Sequence, residues 1–468
     1  MHTVSIIAAF LWLVFLFQSC AVSKQYTRDE NGIVQPDMFR AEFQTKDTAT
    51  LATIHWQDFF SDAQLRKYIS EALNENLDLQ MAMERIKTSE AYYNQAKAQF
   101  FPTVTVAPEV AYNTQSVNTQ FGQIIGERRH LVQYSIPFAL SWEADIWGKI
   151  SSSKRAAHAT LLSAASSVQA AQSLLVSNVA QLYYQLLVLD EQQSITEATI
   201  VTRKKSLETS KALKESGTLT EVAVRQSEAL VLNAEGLLVT INNQIKILEN
   251  TFSLLLGKNS GHINRSSLEM QTITTQLSYG VPMHLLVNRP DVRAAEFDLM
   301  NAFELTNVAR ANFYPSLKLT ASTGLQSIDI DKLFSLNSLF VNAVASLTQP
   351  LWNKRQLRTQ KEVALANRQI AYLNYRKSIL TASKEVSDAL LNYEAQNQLM
   401  TIKEKEYKTY QLATEYSQEL VNYGMANYLE VLRSQENELN AQLSHLNAYY
   451  GKLSAVVQLY RALGGGAK

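Results

Sequence analysis

The chain contains one design written twice, and that duplication constrains its fold more than any other feature. Ala96-Lys97-Ala98-Gln99-Phe100-Phe101-Pro102 is echoed by Ala309-Arg310-Ala311-Asn312-Phe313-Tyr314-Pro315, with Ala, Ala, Phe, an aromatic and Pro at the same spacing. Glu215-Ser216-Gly217-Thr218 is answered by Asn422-Tyr423-Gly424-Met425, and apolar positions follow at matching offsets. A repeat on this scale is a property of architecture rather than of a catalytic centre.

Each copy joins strands of membrane-spanning length to a very long helix. Val132, Tyr134, Ile136, Phe138, Leu140 and Trp142 share one face of an alternating segment, and Gln133, Ser135, Ala139 and Ser141 share the other. Period two over about ten residues suits a membrane strand with lipid outside and water inside. The same alternation places Val104, Val106, Val110 and Tyr112 in a strand at 103–113. It recurs with Leu317, Leu319, Ala321 and Leu325 at 316–326, and with Leu339, Val341, Ala343, Ala345 and Leu347 at 339–349. Strands half-buried in a soluble sandwich would alternate too. Pro108 and Pro137 fall inside two of these strands and mark bends, since each forfeits a ladder hydrogen bond. The links 114–130 and 327–338 read as surface loops.

The eight prolines lie at 36, 102, 108, 137, 282, 290, 315 and 350, leaving 138–281 and 351–468 free of them. Proline-free blocks rich in Ala, Leu, Gln, Glu and Lys predict long helices. Leu161, Ala164, Val168, Ala171, Leu175, Val179, Leu182, Leu186 and Leu189 recur in steps of three and four, as coiled-coil seams do. A helix over 149–216 would be ~100 Å long at about 1.5 Å per residue. The pattern resumes after Gly217 from Leu230 to Leu255, and in the second copy from Tyr372 to Tyr393. An earlier helix begins near Ser61 with Asp62 in its first turn, carries Leu65, Ile69, Leu73 and Leu77, and continues to about Gln99.

The N-terminus is a targeting segment. Val4 to Phe17 is an apolar run too short to span a bilayer and suited to a signal-peptide core. It is followed by Gln18, Ser19 and Cys20, the single cysteine of the chain. A lone exported thiol at that place fits acylation as a lipoprotein better than a disulfide. The chain therefore divides into a signal peptide at 1–19, a lipidated tether at 20–55, a first repeat at 56–270 and a second at 271–468. The long helix of the second repeat is expected over about 351–423.

Four strands cannot close in lipid, where every strand edge must be paired, so the sheet requires further copies of the chain. The fold class is an α+β membrane protein with internal duplication. Formal net charge is zero, which favours no nucleic-acid partner. The seven histidines form no metal-ligand pair in helical register, and Gly464-Gly465-Gly466 follows no strand and cannot cradle a phosphate. No spacing of Ser, His and Asp suggests an enzyme, and nothing calls for a cofactor or metal.

Several stretches resemble the TolC family of outer-membrane efflux channels over about Trp56 to Leu463. They are Trp56-Gln57-Asp58-Phe59-Phe60 with Ala72-Leu73-Asn74-Glu75-Asn76-Leu77-Asp78-Leu79, then Ser141-Trp142-Glu143-Ala144-Asp145-Ile146-Trp147-Gly148-Lys149, and above all Arg289-Pro290-Asp291-Val292-Arg293-Ala294-Ala295-Glu296. The resemblance implies a homotrimer with a 12-stranded transmembrane β-barrel and a long antiparallel helical barrel in the periplasm. An equatorial belt would form from 21–70, 258–288 and the C-terminus. A lipidated Cys20 followed by Ala21 resembles the outer-membrane branch serving drug and metal efflux pumps. Ser216, Gly217, Thr218, Tyr423, Gly424 and Met425 would be the periplasmic tips that meet an adaptor protein, itself joined to an inner-membrane transporter. Family members carry carboxylates six and nine positions after the second tip glycine, narrowing the entrance. Here Glu430 matches the first and Arg433 stands at the second, so the match of the candidate gate is partial and a double acidic ring does not follow from it. The expected function is a passive conduit completing a tripartite efflux system. An outlet for type I protein secretion and a non-conducting trimeric surface stalk are the alternatives, and the cargo is not legible.

Overall fold

A computed structural model describes residues 22–28, 54–271 and 289–466. The signal peptide and Cys20 lie outside the described residues. The first repeat runs α1 (Trp56–Phe59), α2 (Ala63–Glu75), α3 (Leu77–Ala98), β1 (Thr103–Val106), β2 (Glu109–Thr114), α4 (Gln120–Ile125), β3 (His130–Ala144), α5 (Lys149–Glu215) and α6 (Glu221–Leu255). The second runs α7 (Pro290–Ala311), β4 (Ser316–Ser327), β5 (Leu339–Thr348), α8 (Gln356–Asn422) and α9 (Tyr428–Ala462). The duplication extends to element lengths. α3 and α7 each have 22 residues, α5 and α8 each 67, and α6 and α9 each 35.

Two compact units share the chain, and each draws on both repeats. One comprises Met1–Arg28, Ile86–Ser163 and Glu296–Asn374; the other comprises Asp29–Arg85, Ala164–Ala295 and Tyr375–Lys468.

The first unit holds the sheet, antiparallel in the order β1-β3-β4-β5, with β2 pairing β3 beyond the end of β1. The single strand expected over 103–113 is therefore two. Thr103 faces Ser141 and Thr114 faces His130 in one unbroken register, yet the ladder is interrupted at Ala107-Pro108. Pro108 has no N–H to donate, and Ala107 N–H donates instead to the Pro137 carbonyl at 3.3 Å. On its other face Pro137 lies opposite Gly324 of β4. A Cβ at Gly324 would stand 2.1 Å from the Ile136 carbonyl oxygen, so only glycine fits this approach. The loops at 114–130 and 327–338 also differ from expectation, since one contains α4 and the other two 3-10 turns, Ile330–Lys332 and Leu336–Ser338.

Tryptophans near the end of β3 and just beyond it secure the turn into α5. Trp142 Nε1 donates to the Phe100 carbonyl at 2.9 Å, and Trp147 Nε1 to the Pro315 carbonyl at 2.8 Å. The Asp145 carboxylate accepts from the Ile150 and Ser151 N–H groups, each at 2.8 Å, satisfying donors left free at a helix start. The second repeat is built differently here. α8 begins at Gln356 rather than near 351, because Lys354 and Arg355 have φ of 51° and 68°, outside helical space. Residues 22–28 of the tether make defined contacts in this unit, with Arg28 paired to Glu296, and the Asn307 side-chain amide donating to the Lys24 carbonyl at 2.8 Å.

In the second unit the helix expected from Ser61 to Gln99 is interrupted at Asn76. Asp62 is its N-cap rather than a first-turn residue, accepting from Gln64 N–H at 2.7 Å and Leu65 N–H at 3.2 Å. The Asn76 side chain ends α2 by capping the next helix, accepting from Leu79 N–H at 3.0 Å, while its amide donates to the Leu255 carbonyl at 3.0 Å. Leu65, Ile69, Tyr183, Leu186, Phe252 and Tyr460 are among the most deeply buried side chains of this unit. Tyr183 and Gln271 converge on the Asp62 carboxylate at 2.9 and 2.7 Å. Burial raises that carboxyl, but hydrogen bonds from Ser266, Gln271 and Tyr183 prevail and hold it below the usual range. The phrase at Arg289-Pro290-Asp291 has a structural duty. Pro290 opens α7, and buried Arg289 bridges Asp291 at 2.8 Å, Glu385 at 2.6 Å and the Ala462 carbonyl at 2.9 Å.

Candidate functional site: the paired helix tips

Two helix-turn-helix tips in the second unit carry the candidate site residues. Ser216, Gly217 and Thr218 lie between α5 and α6, and Tyr423, Gly424 and Met425 lie between α8 and α9. Each turn ends its helix by the same device. Gly217 adopts φ of 82° and Gly424 φ of 72°. Thr218 N–H reaches back to the Leu213 carbonyl at 2.9 Å, and Met425 N–H to the Leu420 carbonyl at 2.8 Å, the six-to-one bond of a Schellman motif. A Cβ at either glycine would meet nothing within 4 Å, so the residue is required by backbone conformation and not by space.

Beyond the turns, side chains cap the returning helices. Thr220 accepts from Ala223 N–H at 3.4 Å, and Asn427 from Leu429 N–H at 3.1 Å. Tyr423 and Met425 are strongly exposed, leaving a thioether and a phenol ring available at the second tip.

Glu430 lies in the first turn of α9, where its charge is favoured by the helix dipole. Glu430 and Arg433 are both exposed, and among the described residues neither forms an ion pair. The i,i+3 pairing that their spacing permits is therefore not made.

A third feature escaped the sequence reading. Arg203 of α5 is only 3% exposed, and it donates to the Leu230 carbonyl at 2.7 Å while its Nε has no partner. It lines a cleft of about 230 Å³ with Thr202, Gln435, Glu438 and Gln442. Burial lowers the Arg203 guanidinium and raises the Glu438 carboxyl, each toward its neutral form. The available signal was register. Seven-residue steps from Leu189 land on Thr196, Arg203 and Ser210, all buried.

Nothing in these tips suggests bond-making chemistry. They offer exposed turns and a charged helix start.

The sequence profile of the outer membrane efflux protein family matches residues 68–258 and 281–465. The solvent efflux pump outer membrane protein SrpC of Pseudomonas putida is 29% identical over 411 residues, spanning 88% of this chain and 87% of that protein. The probable outer membrane lipoprotein SilC of Salmonella typhimurium is 24% identical over 455 residues, spanning 97% of both. The solved structure of the channel CusC superposes with a TM-score of 0.84 at 25% identity, covering 95% of this chain and all of that one. With both repeats matched and the fold shared over 95% of its length, the chain belongs to the outer membrane efflux protein family, whose solved relatives are TolC-like channels.

Proposed function

We propose that three copies of this chain form a passive outer-membrane conduit that completes an efflux system with a periplasmic adaptor and an inner-membrane transporter. The observation that carries the reading is the sheet itself. One edge is β5 and the other is β1 with β2, and among the described residues both edges lack a partner strand. Val104, Val106, Val110 and Tyr112 at one edge and Leu339, Val341 and Leu347 at the other are exposed, as lipid-facing side chains would be. In a bilayer each unpaired backbone group costs several kcal/mol, and pairing edge to edge around a closed ring removes that cost. Three chains with four strand positions each would give twelve strands.

In this assembly the tips at Gly217 and Gly424 dock the adaptor, and Glu430 with Arg433 contributes charge at the periplasmic opening. Cys20 is acylated and tethers the N-terminus to the outer membrane. A wide aqueous channel selects by size and charge, so the residues do not name a cargo.

The test is reconstitution. Purified protein should scatter light as three copies in detergent and conduct ions in planar bilayers. Single copies retaining full β-structure would overturn the assembly, and three copies without conductance would leave a stalk rather than a channel.

A further inference from the structure

The internal repeat also says how one copy meets the next, a point that rests on the trimer reading above. Within the chain, the last strand of the first repeat, β3, pairs with the first strand of the second, β4. That junction is fastened by Trp147. Its ring lies against Tyr314 with centroids 4.9 Å apart, and its Nε1 donates to the Pro315 carbonyl at 2.8 Å.

Each partner has a counterpart in the other repeat. Tyr314-Pro315 corresponds to Phe101-Pro102 in the duplicated phrase, and Trp147-Gly148-Lys149 corresponds to Trp352-Asn353-Lys354. The chain turns through left-handed backbone after both tryptophans, at Gly148 in one and at Lys354 and Arg355 in the other. The counterparts are unpartnered. Trp352 is 89% exposed and Phe101 is 73% exposed, and Trp352 has no hydrogen-bond or ring partner among the described residues.

They cannot meet within one chain. Phe101 precedes β1 and Trp352 follows β5, and these strands are opposite edges of an open sheet. We infer that Trp352 of one copy seats on Phe101-Pro102 of the next, with its indole N–H donating to the Pro102 carbonyl. The contact between copies thereby repeats the Trp147–Tyr314–Pro315 contact within each copy. A large exposed indole beside a strand end also suits a lipid headgroup belt. The belt leaves Phe101 and Trp352 independent, whereas the seat couples them.

Thiol cross-linking in outer-membrane vesicles decides this. Full-length protein carrying Phe101→Cys and Trp352→Cys, treated with a short bifunctional maleimide, should give denatured bands of two and three chains, absent from either single variant. The pair Trp147→Cys and Tyr314→Cys should react within one chain and leave the mass unchanged. Only monomer bands from the first pair, with three copies by light scattering, would overturn the seat and leave the trimer standing. Single copies by light scattering would overturn the trimer itself. Trp352→Ala and Phe101→Ala should each lower the temperature at which the assembly dissociates, and the double variant should fall no further than the worse single. Additive losses would place Trp352 in lipid and defeat the inference.

Discussion

The turns at Gly217 and Gly424 share a backbone and differ in what secures the helices beside them. At the first tip the fastening is ionic. Glu221 is paired to Lys214 across the turn and to Arg225 at 2.9 Å, and Arg225 reaches Glu228 at 2.8 Å, all of them at the surface. At the second tip the equivalent places hold Val421, Tyr428, Leu432 and Gln435. Tyr428 and Leu432 are buried there, and the Tyr428 hydroxyl donates to the Ser206 carbonyl at 3.1 Å. To the packing both tips share, the first thus adds exposed charges that water and salt weaken, and the second adds apolar packing that they do not. Duplication preserved the geometry of the turn while its reinforcement diverged.

The largest expected effect separates the two. Leu432→Ala should remove about 2–5 kcal/mol of local stability, as large-to-small changes at buried sites do. Hydrogen exchange should then accelerate through the first turns of α9 while α6 is unaffected. Arg225→Ala at the equivalent place should change exchange little, and equal acceleration by both would break the comparison.

The shared backbone predicts an equality. Gly217→Ala and Gly424→Ala should each cost about 1–2 kcal/mol, since both force a side chain into left-handed conformation. Neither adds a clash, so a clear inequality in exchange near the tips would show that the turns are held differently after all.

The ionic tip alone should answer to pH and salt. Its hydrogen bond with Lys214, then the Lys214 and Arg225 charges, hold the Glu221 carboxyl below its ordinary value of 4.5. A depressed carboxylate contributes stability that is present above that ordinary value and lost as pH falls through the lowered one. Proteolysis or exchange at the first tip should therefore quicken as pH drops below 4.5, or as salt is raised at neutral pH. The second tip should not respond, and Glu221→Gln should abolish the difference.

The smallest effect on stability belongs to Glu430, which is exposed where its counterpart Ala223 is buried. Glu430→Gln should leave the assembly as stable as before and weaken cation selectivity in single-channel recordings. Identical conductance and selectivity in both proteins would remove Glu430 from the opening.

Much of the architecture was legible because it rests on period and punctuation. Alternation located the strands, missing prolines located the long helices, and Gly217 and Gly424 marked their ends. The misses have local causes. The break at Asn76 is made by a side chain that both caps a helix and bonds Leu255 far away in sequence, which no periodicity reveals. The late start of α8 depends on left-handed Lys354 and Arg355, residue types that give no warning. The helix turns at Gly217 and Gly424 were readable from the repeat, whereas the Arg203 cleft was not, because the seam turns polar after Leu189 and the apolar pattern fades.

That fading has a thermal consequence. Between Val168 and Leu189, α5 buries Val, Leu, Ala and Tyr almost continuously, but toward the tip its buried residues are Gln192, Thr196, Ile200, Arg203 and Ser210. Exposed apolar surface raises heat capacity by about 0.45 cal/K/mol per Å², and polar surface lowers it by about 0.26. As far as the surface of α5 itself goes, prising it from its neighbours near the tip thus carries a smaller heat-capacity change, and its free energy should curve less with temperature. The same separation above Leu189 exposes apolar surface and follows a curved dependence, weakening on cooling as well as on heating. Chilling therefore weakens the packing of α5 above Leu189 more than that of its stretch toward the tip, where hydroxyl, amide and guanidinium groups make up a larger share of what the helix buries.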